Sequence, residues 1–123
     1  MHKAISKMGL LAGLLCVACA CAVSGCVLDQ SQVLGIAPPA GPVTPIRDLK
    51  ETAKPVVIAG KMVEKCPISG CWFKMTDGTG LIKVDTKNAG FVVMNIPLNT
   101  QVTVSGTMHK GDEPLLEAKG VRY

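Results

Sequence analysis

Phe73-Lys74-Met75-Thr76-Asp77-Gly78-Thr79-Gly80-Leu81-Ile82-Lys83-Val84 reads as two short strands around a tight reversal. Apolar and polar residues alternate on both arms, the pattern of strands buried on one side. Phe73, Met75, Ile82 and Val84 fall on the inward side, with Lys74 and Lys83 facing out. Between the arms, Gly78 and Gly80 accept positive φ without a Cβ clash, so Asp77 to Gly80 makes the turn.

Working outward, short runs rich in Val, Ile, Thr and Met alternate with glycine turns from Val56 onward, and no segment keeps a helical period. Strands are expected at Val56 to Cys66, Trp72 to Asp77, Gly80 to Asp85, Gln101 to Lys110 and Pro114 to Tyr123. In the fourth, Val102, Val104, Gly106 and Met108 share one face, and Gln101, Thr103, Ser105 and Thr107 the other. Val57-Ile58-Ala59-Gly60-Lys61-Met62 is echoed by Thr103-Val104-Ser105-Gly106-Thr107-Met108. Each places a glycine in mid-strand, where a strand closing a small barrel bends sharply. With Thr86 to Asn99 as the link between the third and fourth strands, the order is β-β-β-link-β-β.

That order, and the hairpin quoted above, resemble the OB-fold. The hairpin is similar to the F-x-L-x-D-x-T-G-x-I-x-V signature of OB domains of the tRNA-anticodon-binding type, with Met75 in place of the leucine. Val57 to Val63 is similar to that family's V-x-V-x-G-x-V first strand, so the resemblance covers Val56 to Tyr123. It implies an all-β, five-stranded Greek-key barrel, OB-fold-like, with a core that includes Phe73, Met75, Ile82, Val84, Val102 and Val104. A fold of this kind hosts many functions, and the signature residues serve the hairpin itself. The loop Cys66-Pro67-Ile68-Ser69-Gly70-Cys71-Trp72 departs from the nucleic-acid-binding members, which carry basic and glycine residues there. Its Gly-Cys-Trp triplet resembles small exported bacterial domains of unknown function.

Upstream of the strands, Val23-Ser24-Gly25-Cys26 resembles the lipobox of bacterial lipoproteins. His2, Lys3 and Lys7 form a basic n-region, and Met8 to Ala22 an uncharged, largely apolar h-region of about 15 residues, short for a bilayer span. Ala18-Cys19-Ala20 lacks the branched residue that Val23 supplies, so Cys26 rather than Cys21 is the expected acceptor. The resemblance implies a signal peptide over residues 1–25 and a palmitate-type lipid modification at Cys26. Two or more acyl chains suffice for stable membrane attachment. The competing reading is an ordinary secretory signal that releases a soluble protein. Residues 26–55, with Gly35-Ile36-Ala37-Pro38-Pro39-Ala40-Gly41-Pro42 at their middle, read as an extended tether. Thr44 and Pro45 read as the N-cap and first residue of a short helical turn through Ile46, Leu49 and Glu51. Residues 56–123 then form the barrel, held in the cell envelope on the periplasmic or outer side of a membrane.

The 123 residues carry 13 Lys and Arg against 9 Asp and Glu, a net charge of +4 that falls to about +2 once the leader's two lysines are gone. So weak an excess argues against phosphate-backbone binding, which requires a dense basic face. The four aromatics, Trp72, Phe73, Phe91 and Tyr123, offer few rings for base stacking, and Phe73 is committed to the core. Beyond the leader and Cys26 the remaining cysteines are Cys66 and Cys71. In an oxidising compartment such a pair forms a disulfide, stabilising so short a loop by about 2 kcal/mol. The alternative is a metal or thiol-redox site in which the two thiolates, His109 and the thioethers of Met62, Met75, Met94 or Met108 hold Cu(I). Half a tetrahedral site is a weak signal, and methionines more often fill the core of a small barrel.

Hydrolytic chemistry is not indicated. His109 is the one histidine after the leader, and no serine or cysteine has an evident base and orienting acid. Asp77-Gly78-Thr79-Gly80 is neither an Asp-Thr-Gly protease loop nor, with Lys83 at the third glycine position, a dinucleotide fingerprint. The expectation is therefore a non-enzymatic envelope module without cofactor or bound metal. It meets membrane lipid through Cys26 and binds an envelope protein, glycan or small ligand on a face around Trp72, Lys74 and Lys83. Thiol-redox or metal handling by Cys66 and Cys71 is the alternative, and nucleic acid ranks last.

Overall fold

The computed structural model describes residues 31–109 and 111–123. The expected leader and the expected lipid acceptor Cys26 lie outside the described residues, as does Lys110. Six strands follow in chain order: β1 (Val33–Gly35), β2 (Val56–Lys65), β3 (Trp72–Thr76), β4 (Leu81–Asp85), β5 (Gln101–His109) and β6 (Leu115–Arg122), with a 3-10 turn at Ile46–Asp48 between β1 and β2. The five strands expected from alternation are all present, each within about a residue of its expected ends.

β2 pairs antiparallel with β3 and with β5, β3 with β4, and β5 with β6, while β4 and β6 pair in parallel. The ring β2-β3-β4-β6-β5 therefore closes on itself, an all-β, OB-like five-stranded barrel. Closure leaves these strands no long unpaired edge, the liability of open sheets. Alternation delivers the core: Phe73, Met75, Val84 and Val104 have no exposed surface, Val102 is 1% exposed and Ile82 4%. Ile58, Met62, Leu116 and Val121 join them from β2 and β6, and Val93 and Ile96 from the link between β4 and β5.

Three local expectations are corrected. Residues 31–55 do not hang as a free tether, because the compact unit begins at Ser31. β6 pairs with β4 only over Leu115 to Glu117, which frees the same edge of β6 farther on. β1 takes that edge, with Val33, Leu34 and Gly35 opposite Arg122, Val121 and Gly120. A Cβ on Gly120 would collide with the Ile36 carbonyl, so the close approach requires glycine. The Arg122 guanidinium then donates to the Pro38 carbonyl at 2.7 Å. Pro/Gly-rich composition makes this segment extended; the unpaired edge of β6 makes it dock.

The 3-10 turn is likewise not capped by Thr44. Its N-cap is Pro45, and no side-chain cap bond comes from that residue. Instead the Ile46 N–H donates to Asp77 Oδ2 at 2.9 Å and the Arg47 N–H to Thr79 Oγ1 at 3.2 Å. The β3–β4 turn thus caps a turn about 30 residues away, and Ile46, 6% exposed, plugs the core. Finally, Ser105 is buried although alternation points it outward. The β5–β6 register shifts there, from Ser105 opposite Gly120 to Gly106 opposite Ala118, leaving Lys119 as the extra residue on β6, and Ser105 is covered by strands paired on both of its edges. Gly106 and Gly60 sit at the expected bends, where a Cβ would strike the Glu117 and Thr76 carbonyls respectively.

Candidate functional site

Antiparallel pairing of β3 and β4 sets Trp72 opposite Asp85, Lys74 opposite Lys83 and Thr76 opposite Leu81. Phe73, Met75, Ile82 and Val84 occupy the inner side, so Trp72, Lys74 and Lys83 share the outer one. The structure therefore brings the three expected binding residues together. The Lys83 ammonium lies 4.9 Å from the centroid of the Trp72 ring, within cation–π range. Directly opposed like charges weaken a sheet. The two salt bridges among the described residues, Arg47–Asp48 and His109–Glu117, involve neither lysine. Lys74 and Lys83 thus meet across the strands with no ion pair to either among the described residues, although Glu64 stands opposite Lys74 on β2 and Asp85 shares the outer face.

At one end of this face the loop from Cys66 to Cys71 joins β2 to β3. The Cys66 N–H donates to the Trp72 carbonyl at 3.0 Å, and the Gly70 N–H closes back on the Cys66 carbonyl at 3.2 Å. Gly70 has φ of +63°, and a Cβ there would also press on the Met94 side chain. On the far side, the Val93 N–H donates to the Gly70 carbonyl and the Thr86 N–H to the Cys71 carbonyl, both at 2.9 Å. The C-terminal end of the loop is thereby fixed to the β4–β5 link, and Cys66 to Trp72 and Gly70, while Pro67, Ile68 and Ser69 are exposed. Thr86 is fully buried, and its hydroxyl has no hydrogen-bond partner among the described residues.

The expected disulfide is not formed: Cys66 and Cys71 are both thiols. The Ser69 hydroxyl stands between them, 3.5 Å from Cys66 Sγ and donating to Cys71 Sγ at 3.1 Å. The two sulfurs are therefore no farther apart than these contacts laid end to end. The Ser69 backbone N–H, the Ser69 hydroxyl and the Ile68 and Gly70 N–H groups stabilise sulfur as thiolate, outweighing burial, and hold Cys66 at about 6 instead of its ordinary 9.0. Ser69 was not among the residues singled out from the sequence. Its place two and three residues from the cysteines was the available signal, and hydroxyl orientation is a tertiary matter.

The ligand set imagined for Cu(I) does not converge. Met62, Met75 and Met108 are buried in the barrel core. His109 stands on β5, 3.2 Å from Glu117 Oε2 and beyond the start of β2, whereas the cysteine loop follows the other end of β2. Met94 alone of these sulfurs borders the loop, at Gly70. Among the described residues no three His, Cys, Asp or Glu side chains cluster as a metal site. A cleft of about 350 Å³ lined by Gly60, Lys61, Thr76, Asp77 and Gln101 lies at the opposite end of β3 and includes none of the expected site residues.

Comparison with protein-family models gives no match, and comparison with curated proteins gives none either. Among solved structures the chain is similar to the hypothetical protein ygiW from E. coli, at 24% identity and a TM-score of 0.47, covering 71% of this chain and 95% of that one.

Proposed function

We propose that this chain is a non-enzymatic binding module of the bacterial cell envelope, lipid-anchored at Cys26, which takes an anionic glycan on the outer face of β3 and β4. One observation carries the reading: Lys74 and Lys83 oppose each other across two strands, beside an aromatic ring, and neither is ion-paired among the described residues. An anion bridging the two ammonium groups would relieve their repulsion. The Trp72 ring offers a flat apolar surface to the C–H face of a sugar. Neither group is a nucleophile or a poised base, so the chemistry available on this face is stacking and charge. Lipid anchorage rests on the leader and the Val23-Ser24-Gly25-Cys26 motif.

Trp72 is the one tryptophan, so its fluorescence reports directly on the face. Titration of the full chain with a uronic-acid oligosaccharide should shift the emission, and a neutral oligosaccharide of equal length should bind at least about tenfold more weakly. Lys83→Ala should cost about tenfold in affinity, about 1.4 kcal/mol, and added salt should weaken binding. Equal affinity for the charged and neutral sugars, or tighter binding of a single-stranded oligonucleotide, would overturn the reading. The anchor is checked separately, by mass spectrometry of envelope-derived protein. An unmodified Cys26 refutes it.

A further inference from the structure

Beside the proposed binding face, the thiol loop carries chemistry that ligand binding does not use. We propose that Cys66 and Cys71 are a two-electron thiol–disulfide couple, in which a small hydroperoxide oxidises Cys66 and Cys71 resolves the product, with Ser69 relaying the Cys71 proton to the departing hydroxide.

Three features of the geometry support these roles. Both sulfurs contact one hydroxyl, so they share a hydrogen-bond path and a short separation. The loop's Ile68, Ser69 and Gly70 N–H groups surround Cys66 and favour the thiolate there, which is the form that attacks, while the Ser69 hydroxyl contacts both sulfurs. The Gly70–Cys71 end of the loop is fixed by Val93 and Thr86, whereas Pro67, Ile68 and Ser69 face solvent. Closing the disulfide therefore needs only a local movement that takes Ser69 from between the sulfurs. Cys66 is 9% exposed, which favours a small oxidant over a bulky protein disulfide.

The steps balance. Cys66 thiolate attacks one peroxide oxygen, the O–O bond breaks, and Cys66 becomes a sulfenic acid. The departing hydroxide or alkoxide takes a proton and leaves as water or alcohol. Cys71 then gives its proton through Ser69 and attacks the Cys66 sulfur. The S–O bond breaks, hydroxide leaves with that proton as a second water, and the Cys66–Cys71 disulfide forms. Two thiols lose two electrons and one peroxide gains them. An external dithiol reductant restores the starting state.

The test treats the reduced full chain with hydrogen peroxide, quenches with a thiol-alkylating reagent and maps Cys66 and Cys71 by peptide mass spectrometry. The native chain should yield the intramolecular disulfide. Cys71→Ser should instead accumulate a Cys66 sulfenic acid that a dimedone probe traps. The oxidation rate of the native chain should reach half its plateau near pH 6, and Ser69→Ala should move that midpoint upward towards 9. The pH profile needs no variant, so it stands even if a cysteine substitution prevents folding. Two unreacted thiols after peroxide, sulfenic acid confined to Cys71, or a midpoint near pH 9 in the native chain would each overturn the proposal. None of these results bears on glycan binding by the neighbouring face.

Discussion

Replacing Asp77 by asparagine should destabilise the barrel by ~1 kcal/mol at neutral pH and by nothing in strong acid. The side chain serves two turns at once. Its Oδ2 accepts the Ile46 N–H at 2.9 Å, and its Oδ1 accepts the Thr79 N–H at 2.8 Å and the Thr79 hydroxyl at 2.6 Å. Burial pushes the carboxyl up, but the hydrogen bonds from the Thr79 hydroxyl and the Ile46 and Thr79 N–H groups outweigh it and bring the group from 3.8 to about 2. Converted in full, a shift of nearly two pH units corresponds to roughly 2.5 kcal/mol. The carboxylate is partly solvated, and screening reduces the usable share to ~1 kcal/mol. The folded-state value lies below the unfolded one, so the stabilisation is fully present above about pH 4 and is lost as the pH falls through about 2. Urea unfolding of parent and Asp77→Asn, followed at several pH values, measures this directly. With m about 1–2 kcal/mol/M, the parent's midpoint at pH 7 should lie roughly 0.5–1 M higher. That gap should narrow between pH 4 and pH 2. Coincident midpoints at pH 7, or a gap as wide at pH 2 as at pH 7, would refute the assignment of Asp77 as an ionised cap.

Two further outcomes follow from the packing. Phe73 has no exposed surface in the barrel core, so Phe73→Ala should cost about 3–5 kcal/mol, and a variant unfolding in urea no earlier than the parent removes it from the core. Thr86→Val keeps the shape of a buried side chain whose hydroxyl has no partner, and should be neutral or stabilising by up to about 1 kcal/mol; a clear loss in thermal unfolding would reveal a partner for that hydroxyl.

Alternation along Trp72 to Asp85 and Gln101 to Met108 was enough to assign five strands, most of the core and the outward placement of Trp72, Lys74 and Lys83. Side-chain period in a strand is a property of consecutive residues, so it survives in the sequence. The turn at Asp77 to Gly80 was legible for the same reason, since a φ preference belongs to the residue itself. What each turn does for the rest of the molecule was not legible. Asp77 and Thr79 cap a 3-10 turn some 30 residues earlier, a bond that exists only because closure of the barrel sets the two loops side by side.

The remaining differences share that origin. β1 forms because β6 leaves β4 after Glu117 and exposes an edge, a fact about two distant strands that no local composition records. Ser105 is buried because β2 and β6 pair along both of its edges, a fact of barrel closure. The cysteine spacing set out a short loop able to hold a pair, yet the contact of the Ser69 hydroxyl with both thiols depends on the β4–β5 link fixing the Gly70–Cys71 end of that loop. The sequence by itself determined the strands, their faces and the residues available for chemistry, because each follows from neighbours in the chain. Only the tertiary structure decided which of those residues meet, because hydrogen bonds and sulfur contacts between distant segments are made when the barrel closes.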